Sequence, residues 1–422
     1  MPIPCGKDAC NMCGKCAPSI DTDTMDYNIE FSTAQDESCL LSTKVNLFFD
    51  SAVQYAAAID IGTTNIEIRL YSLPAGEHVK TARVANKQGK YGADIMSRIN
   101  HALTDRQSLH EIINEQIDEV FAGFGAKCDA AVVVGNTATM YFYANRCTNS
   151  FAAAPFKTNG LFAEMIENDI GKVYLPPCVS AFVGADLIAA VLWAEFTRGR
   201  PGAVALTVEG DFCPKNYLLV DVGTNGEIAL FHDGTYYCTS TAAGPAFEGC
   251  GAHGSDVIKA IAAGLDSGEI DESGYMEDSI VVSTTPSSAV ADATPPGRGI
   301  WEYTFSPHDM RNFQLAKSAI RSGMDSLIAH CGISYDEVDM LYVAGLFGAK
   351  IEAADGVRIG LFPAELKDKV QHLGNAAIYG ASLMLLDKEQ TKRAEEIAKN
   401  AEHVDLMQSK VFPVRFMENM GF

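Results

Sequence analysis

Two short stretches of the chain combine residue types that bind phosphate and magnesium. The first reads Asp-Ile-Gly-Thr-Thr-Asn over residues 60–65, and the second reads Asp-Val-Gly-Thr-Asn over residues 221–225. In each, an aspartate closes an apolar run and a Gly-Thr turn follows, so backbone N–H groups and hydroxyls can meet an anion beside a hydrated metal ion. Because the two stretches lie a whole domain apart, their likeness is not a solenoid repeat. It predicts a duplicated nucleotide-binding fold.

Specific contacts follow from these stretches. We expect Asp60 and Asp221 to hold Mg²⁺ through water molecules, from opposite sides of a cleft. A buried strand over 340–344 runs into a glycine-rich turn, where the backbone can approach an adenine ring closely. The residues predicted to bind the nucleotide are Gly62, Thr63, Thr64, Asn65, Gly223, Thr224, Asn225, Gly345 and Gly348.

A third aspartate, Asp186, ends a Gly-Ala-Asp triplet at the start of a predicted helix over 187–197. An acidic residue at this position can cap the helix. It can equally direct a carboxylate at a phosphate, its metal ion or an attacking water molecule. Asp186 is therefore a candidate catalytic residue, and the simple cap is the alternative.

Four cysteines crowd the beginning of the chain with the spacing C-x4-C-x2-C-x2-C, and small or polar residues separate them. Such a segment cannot form a core without a metal to organise it. The compact spacing favours a [4Fe–4S] cluster. A [2Fe–2S] cluster with Cys39 as a remote ligand, a structural zinc ion and free thiols are the alternatives. The predicted ligands are Cys5, Cys10, Cys13 and Cys16.

Size and charge limit the function further. The chain has 422 residues, of which 47% are hydrophobic, and a net charge of −22. That charge argues against nucleic acid and anionic membranes as partners. The N-terminus has no apolar secretory signal, and no uncharged run is long enough to span a membrane. We therefore expect a cytoplasmic protein.

Hydrophobic periodicity predicts the elements that position these residues. A hairpin is expected over 55–61 and 65–71, one helix starting near Gly92 and a second from about residue 107 to 124. A buried strand over 130–134 ends in Gly135-Asn-Thr, either an anion site or a helix cap. Prolines after Tyr174 favour an edge strand there, and a long amphipathic helix is expected over 309–331.

The order of the motifs, two Asp-x-Gly-Thr turns and then an Ala-Gly-x-x-Gly turn, resembles the ASKHA superfamily of acetate and sugar kinases, Hsp70 and actin. The resemblance implies an α/β fold with two ribonuclease H-like lobes around a nucleotide cleft, preceded by the short iron–sulfur segment. The expected division is an iron–sulfur segment over 1–20, a linker over 21–53, a first lobe over 54–202 and a second lobe over 203–422.

Several longer strings give a closer resemblance, namely Ala57–Thr64, Tyr91–Arg98, Gly135–Thr137, Gly184–Asp186, Asp221–Glu227, Ser240–Gly249 and Gln314–Gly323. These strings resemble the reductive activators of corrinoid proteins. That family implies ATP hydrolysis coupled to electron transfer from an iron–sulfur centre to cob(II)alamin, which returns to cob(I)alamin. It further implies a corrinoid protein or corrinoid-dependent methyltransferase as partner, an upstream donor such as ferredoxin, and a homodimer.

The chain departs from that family where members usually carry a complete ferredoxin domain, since only the short cysteine segment is present here. Three alternatives therefore stay open. One is an ATP-dependent activator of another low-potential enzyme, similar to the activators of 2-hydroxyacyl-CoA dehydratases. The others are a small-molecule kinase with a structural metal loop and a nucleotide-switched binding module without redox chemistry.

Overall fold

The computed structural model describes residues 30–33, 48–49, 53–73, 75–198, 214–244, 246, 254–284, 301–345 and 347–422. The predicted cluster ligands Cys5, Cys10, Cys13 and Cys16 lie outside these residues, as does Cys39. The same holds for most of the predicted linker, although a short strand is found within its range.

The first lobe is built on a seven-stranded sheet with the order β1-β4-β3-β2-β5-β7-β6. The hairpin strands β2, β3 and β4 pair antiparallel, whereas β5 runs parallel to β2 and β7 runs parallel to β5. The strands are β1 Glu30–Thr33, β2 Tyr55–Ile61, β3 Asn65–Ser72, β4 Glu77–Ala85, β5 Ala130–Gly135, β6 Glu164–Asn168 and β7 Gly171–Leu175.

The second lobe contains a six-stranded sheet with the order β14-β13-β8-β9-β10-β15, beside a separate two-stranded sheet of β11 and β12. The strands are β8 Tyr217–Val222, β9 Gly226–His232, β10 Thr235–Thr241, β11 Ile280–Thr284, β12 Trp301–Phe305, β13 Met340–Ala344, β14 Val370–Gly374 and β15 Ala401–His403.

The central strands of the two sheets are arranged identically. In the second lobe, β8, β9 and β10 form an antiparallel meander, β13 runs parallel to β8, and β14 runs parallel to β13. The series β4-β3-β2-β5-β7 thus matches β10-β9-β8-β13-β14. The matching topology confirms the α/β fold with two related lobes that the repeated motif predicts.

Helices cover both sheets and contribute several of the residues at the cleft. In α1, Asp105 has non-helical backbone angles (φ −145°, ψ 78°), so this range divides into two helices, as predicted. The helices are α1 Ile95–Phe124, α2 Thr137–Tyr143, α3 Ala185–Thr197, α4 Gly254–Ser267, α5 Pro307–Cys331, α6 Ala353–Arg358, α7 Ala376–Leu386, α8 Lys388–Lys399 and α9 Phe412–Glu418.

Two hydrophobic cores meet at the second sheet. Alternate residues of β8 face opposite ways, since Leu219 belongs to the core of the first lobe while Leu218 and Val220 pack in the second core with α4 and α5. Helix α7 lies in the range predicted for the second lobe, yet its side chains belong to the first core and it packs against α3, β2 and β5. The two lobes are therefore joined through α3 and α7.

Within the described part of the chain, no helix has both the length and the apolar character needed to cross a lipid bilayer.

Candidate active site

A cleft of about 820 Å³, which includes its open mouth, lies between the two sheets. It is bordered by the carboxyl ends of the parallel strands β2 and β5 in the first sheet and β8 and β13 in the second, as expected for ligand sites in α/β sheets. Its walls hold both Asp-Gly-Thr turns together with Asp186. The lining residues are Asp60, Ile61, Gly62, Thr63, Thr64, Asn65, Glu67, Arg83, Asn136, Asp186, Leu187, Asp221, Val222, Gly223, Thr224, Asn225, Glu227, Gly345, Phe347, Asn375 and Ala377.

The two hairpins face each other across this cleft. Thr64 Oγ1 and Thr224 Oγ1 are 2.9 Å apart, so a hydrogen bond joins the two turns. Asp60 lies opposite Glu67 in the first hairpin, and Asp221 lies opposite Glu227 in the second. The predicted pairing of the turns across a cleft therefore agrees with their position in the structure.

Buried carboxylates raise one another's pKa in the cleft. Burial, followed by repulsion from Asp186, Glu67 and Asp221, raises the pKa of Asp60 well above its usual value. Burial, followed by Asp186 and Asp221, does the same to the pKa of Glu227. Burial also raises the pKa of Asp186 to about 6. Several buried carboxylates therefore lie together here, and holding them as anions is costly unless a cation binds among them.

Glu67 is the exception among these carboxylates. Burial acts to raise its pKa, but Arg83 and Arg69 lower it, and the net shift is downward. Arg83 Nη2 donates to Glu67 Oε2 at 2.7 Å and Arg69 Nε donates to Glu67 Oε1 at 3.0 Å. Asn375 Nδ2 donates to Glu67 Oε2 at 3.1 Å. Glu67 is therefore held as a carboxylate.

The remaining carboxylates fit a hydrated divalent cation. Asp60, Asp186, Asp221 and Glu227 offer the hard oxygen atoms that Mg²⁺ prefers, and Mg²⁺ usually keeps several of its water molecules. Among the described residues, no three His, Cys, Asp or Glu side chains are placed to bind one ion directly. Asp60 and Asp221 stay predicted ligands through water.

Asp186 lies in the first turn of α3, behind the N-cap residue Gly184. Its Oδ1 accepts a hydrogen bond from Leu187 N at 2.8 Å, so part of the carboxylate caps the helix. A Cβ on Gly184 would lie 2.3 Å from Gly135 O, which explains why the chain needs glycine there. Asp186 lines the cleft as well as capping the helix, and a catalytic role stays a prediction.

The glycines predicted to contact adenine occupy different positions. Gly345 lines the cleft with φ +87°, and a Cβ there would lie 2.5 Å from Asp221 Oδ1. Its small size therefore makes room for the aspartate. Gly348 packs against Val343 of β13, because a Cβ on Gly348 would lie 2.8 Å from Val343 Cγ1. Gly348 is not among the residues that line the cleft.

Asn136 follows β5 at the cleft. Its Oδ1 accepts from Ala138 N at 3.1 Å and its Nδ2 donates to Phe182 O at 2.9 Å. The side chain therefore caps α2, which is the plainer of the two interpretations of Gly135-Asn-Thr.

Four polar residues of the cleft were not predicted as functional, namely Glu67, Arg83, Glu227 and Asn375. Both glutamates could have been found, because each hairpin places a Glu on the strand after its turn, across from the Asp. Arg83 is the one Lys or Arg among the described residues that line the cleft. Its role depends on the pairing of β3 with β4, and that of Asn375 depends on the position of α7.

Several known proteins resemble this chain. The family model described as the C-terminal domain of RACo, the ASKHA domain, matches residues 215–253 and 250–422. The model of the RACo middle region matches residues 55–199. A solved structure titled "Reductive activator for corrinoid,iron-sulfur protein" has a TM-score of 0.73 and a sequence identity of 24%. The match covers 89% of this chain and 67% of the chain in that structure.

Two relatives match most of the chain in sequence. The corrinoid activation enzyme RamQ of Eubacterium limosum is 28% identical, over 87% of this chain and 70% of the relative. The [Co(II) methylated amine-specific corrinoid protein] reductase of Methanosarcina barkeri is 25% identical, over 85% of this chain and 75% of the relative. Together with the two domain models, these matches show that the chain belongs to the RACo family, with a C-terminal ASKHA domain.

Proposed function

We propose that this protein is a reductive activator that couples ATP hydrolysis to electron transfer from an iron–sulfur cluster to a cob(II)alamin protein, restoring cob(I)alamin. The single observation that carries the proposal is the placement of two Asp-Gly-Thr hairpins on opposite walls of one acidic cleft. The names of the two relatives, an activation enzyme and a Co(II) corrinoid protein reductase, support the choice of acceptor.

The chain's own residues would hold the nucleotide from both lobes. Thr63, Thr64, Thr224 and Asn225 would bind phosphate oxygens through hydroxyl, amide and backbone N–H groups. Asp60 and Asp221 would orient the water shell of Mg²⁺, which supplies charge neutralisation at the phosphates. Asp186, with a raised pKa and a place at the same cleft, would orient or deprotonate the hydrolytic water.

Nucleotide binding would change the relation between the lobes. The Thr64–Thr224 hydrogen bond occupies the space between the two turns, so phosphates that bind both turns would replace it. Such lobe movements around a nucleotide are a common way to alter a docking surface. A corrinoid protein or corrinoid-dependent methyltransferase would dock on the altered surface, and a donor such as ferredoxin would supply electrons to a homodimer.

The electron would come from a cluster held by Cys5, Cys10, Cys13 and Cys16, with [4Fe–4S] favoured over [2Fe–2S] by their spacing. This part of the proposal is supported by the cysteine pattern and by family membership. We keep the division into a cysteine segment, a linker and two lobes as part of the same proposal.

Anaerobically purified full-length protein tests the function. It is mixed with a cob(II)alamin-loaded corrinoid protein and a low-potential reductant, and cob(I)alamin is followed by its absorbance. We expect cob(I)alamin to form only with Mg-ATP. Formation at the same rate without ATP would contradict the coupling.

The cluster is tested with matched cysteine variants. Cys10→Ser and Cys13→Ser should remove the iron–sulfur EPR signal and the electron transfer while leaving ATP binding intact. Cys147→Ser changes an exposed free cysteine and should have no effect. Stoichiometric zinc without iron would contradict the redox role and favour a structural metal loop.

A further inference from the structure

The first phosphate turn is held from behind by one segment of the chain, residues 86–98. Asn86 N donates to Thr64 O at 2.7 Å, and Asn86 Nδ2 donates to Gly62 O at 2.8 Å. Arg98 Nη2 donates to Thr63 O at 2.7 Å. Three consecutive carbonyl groups of the turn, those of residues 62–64, are therefore bound by two residues.

These two residues are themselves rigidly placed. Asn86 is 2% exposed and Arg98 is 1% exposed. Asn86 Oδ1 accepts from Gln88 N at 3.0 Å, which caps the short helical turn that follows β4. Arg98 Nε donates to Gly92 O at 2.9 Å, so the guanidinium bridges two separate loops with its fork of donors.

The contacts to these carbonyl groups also affect the backbone N–H groups of the turn. A trans peptide group is planar, so its N–H points away from its C=O. The carbonyls of Gly62, Thr63 and Thr64 share peptide groups with the N–H groups of the next residue in each case. Fixing each of the three carbonyls therefore also fixes the direction of the N–H group of Thr63, Thr64 or Asn65 in the same peptide group.

We infer that Asn86 and Arg98 are positioning residues for nucleotide binding, which hold the turn so that its backbone N–H groups meet the phosphates. Neither residue lines the cleft, so both act through the turn. The inference rests on the proposed binding of ATP and adds to it the part of the fold that preorganises the phosphate contact.

The second turn is held differently. Gly223 N donates to Asn225 O at 3.2 Å within the turn, and Gly244 N donates to Thr224 O at 2.8 Å. Both are backbone contacts, one within the turn and the other from the loop after β10. The effect of Asn86 and Arg98 is therefore specific to the first turn.

Two conservative variants test the inference without removing the core. Arg98→Lys keeps the charge but cannot bridge Gly92 O and Thr63 O as the fork does. Asn86→Ser keeps a side-chain acceptor suited to the N-cap, but its single short hydroxyl cannot replace the separate Nδ2 donor that reaches Gly62 O. The matched control is Arg106→Lys, since Arg106 lies just beyond the break at Asp105 in α1 and donates to Asn145 Oδ1 at 2.9 Å.

Isothermal titration calorimetry on the full chain with Mg²⁺ measures the Kd of ATP, ADP and adenosine. We expect Arg98→Lys and Asn86→Ser each to raise the Kd for ATP and for ADP by about tenfold, as the loss of one such hydrogen bond predicts. Adenosine, which has no phosphate, should keep its Kd. Arg106→Lys should match the wild type for all three ligands.

Adenosine separates positioning from general damage. A variant that only destabilises the fold would weaken the binding of adenosine as much as the binding of ATP. That result would overturn the inference. So would ATP affinities within about threefold of wild type in both variants. If Arg98→Lys does not fold, Asn86→Ser decides alone. Failure of the wild type to bind ATP would instead refute the proposed function.

Discussion

The two Asp-Gly-Thr hairpins have the same strand pairing but different electrostatic surroundings. Each places a Glu opposite its Asp, Glu67 in the first hairpin and Glu227 in the second. Glu67 is bound by two arginines and Asn375, which keep it charged. Among the residues that the structure describes, Glu227 has no ion pair, and its pKa is raised.

The difference shows how a duplicated fold divides its tasks. The first turn, over residues 62–65, is one residue longer than the second over 223–225, and it is braced by Asn86 and Arg98. The first hairpin is thus braced from behind and its glutamate is paired with arginines, which suits the proposed phosphate contact. In the second hairpin, Glu227 has no ion pair among the described residues, which suits a place beside the proposed hydrated metal ion.

The largest expected effect concerns the aspartates that both hairpins share. Asp60→Asn and Asp221→Asn should each lower ATP hydrolysis by about 100-fold or more, because the variant loses charge that orients the metal. Steady-state ATPase assays over a Mg²⁺ titration measure this. Asp233→Asn, in an exposed turn with φ 49°, is the control. Normal hydrolysis in either cleft variant would show that only one hairpin serves the metal.

The glutamates provide the most direct test of the contrast between hairpins. Glu67→Gln leaves Arg69 and Arg83 without their carboxylate and should destabilise the nucleotide-free protein by about 3 kcal/mol. Glu227→Gln replaces a group that burial already disfavours as an anion, and its cost should stay below about 1 kcal/mol. Denaturant unfolding measures both. Equal costs would contradict the opposite pKa shifts of the two glutamates.

The pH dependence of stability tests Asp186, which lies beside both hairpins. Burial raises the pKa of Asp186 to about 6 in the folded chain, whereas an unfolded Asp has a pKa of about 3.9. The folded state then binds the proton more tightly, so this contribution is present below about pH 4 and is lost as the pH rises to about 6.

Asp186→Asn removes the carboxyl group that binds this proton. The free energy of unfolding of Asp186→Asn minus that of the wild type should therefore increase by up to about 3 kcal/mol across this window. Denaturant unfolding of nucleotide-free protein at several pH values measures the difference. A difference that does not change with pH would contradict the burial of an ionisable Asp186.

The smallest effect is expected for the hydrogen bond between Thr64 and Thr224, which joins the two hairpins. Thr64→Val and Thr224→Val should each cost about 1 kcal/mol or less, and a double-mutant cycle should give a coupling of about 0.5–1 kcal/mol. The coupling should vanish when saturating Mg-ATP is present, because phosphates would take over both hydroxyls. A coupling that is unchanged by nucleotide would argue against separation of the two turns.

Local patterns predicted much of the fold correctly. The expected hairpin over 55–61 and 65–71 is found as β2 and β3, since alternation and turn residues are local signals. The break between two helices near residue 105 also appears, where Asp105 leaves helical geometry. The long helix expected over 309–331 begins two residues earlier, at Pro307, behind a capping box formed by Ser306 and Asp309.

The prediction of an edge strand at Tyr174 was wrong. Strand β7 lies between β5 and β6, and its prolines follow the strand rather than interrupt it. A proline prevents ladder pairing only at its own position. The prolines after Tyr174 therefore do not require an edge strand, and composition alone does not locate the end of the strand before them.

By itself, the sequence determined the two Asp-x-Gly-Thr turns, the repeat that relates the two sheets and the aspartates at the strand ends, because these depend on residues close together in the chain. Only the tertiary structure decided the opposite pKa shifts of Glu67 and Glu227 and the position of α7. It alone placed Asn86 and Arg98 behind the first turn. These features depend on strand order and helix packing, which bring together residues that local sequence patterns do not relate.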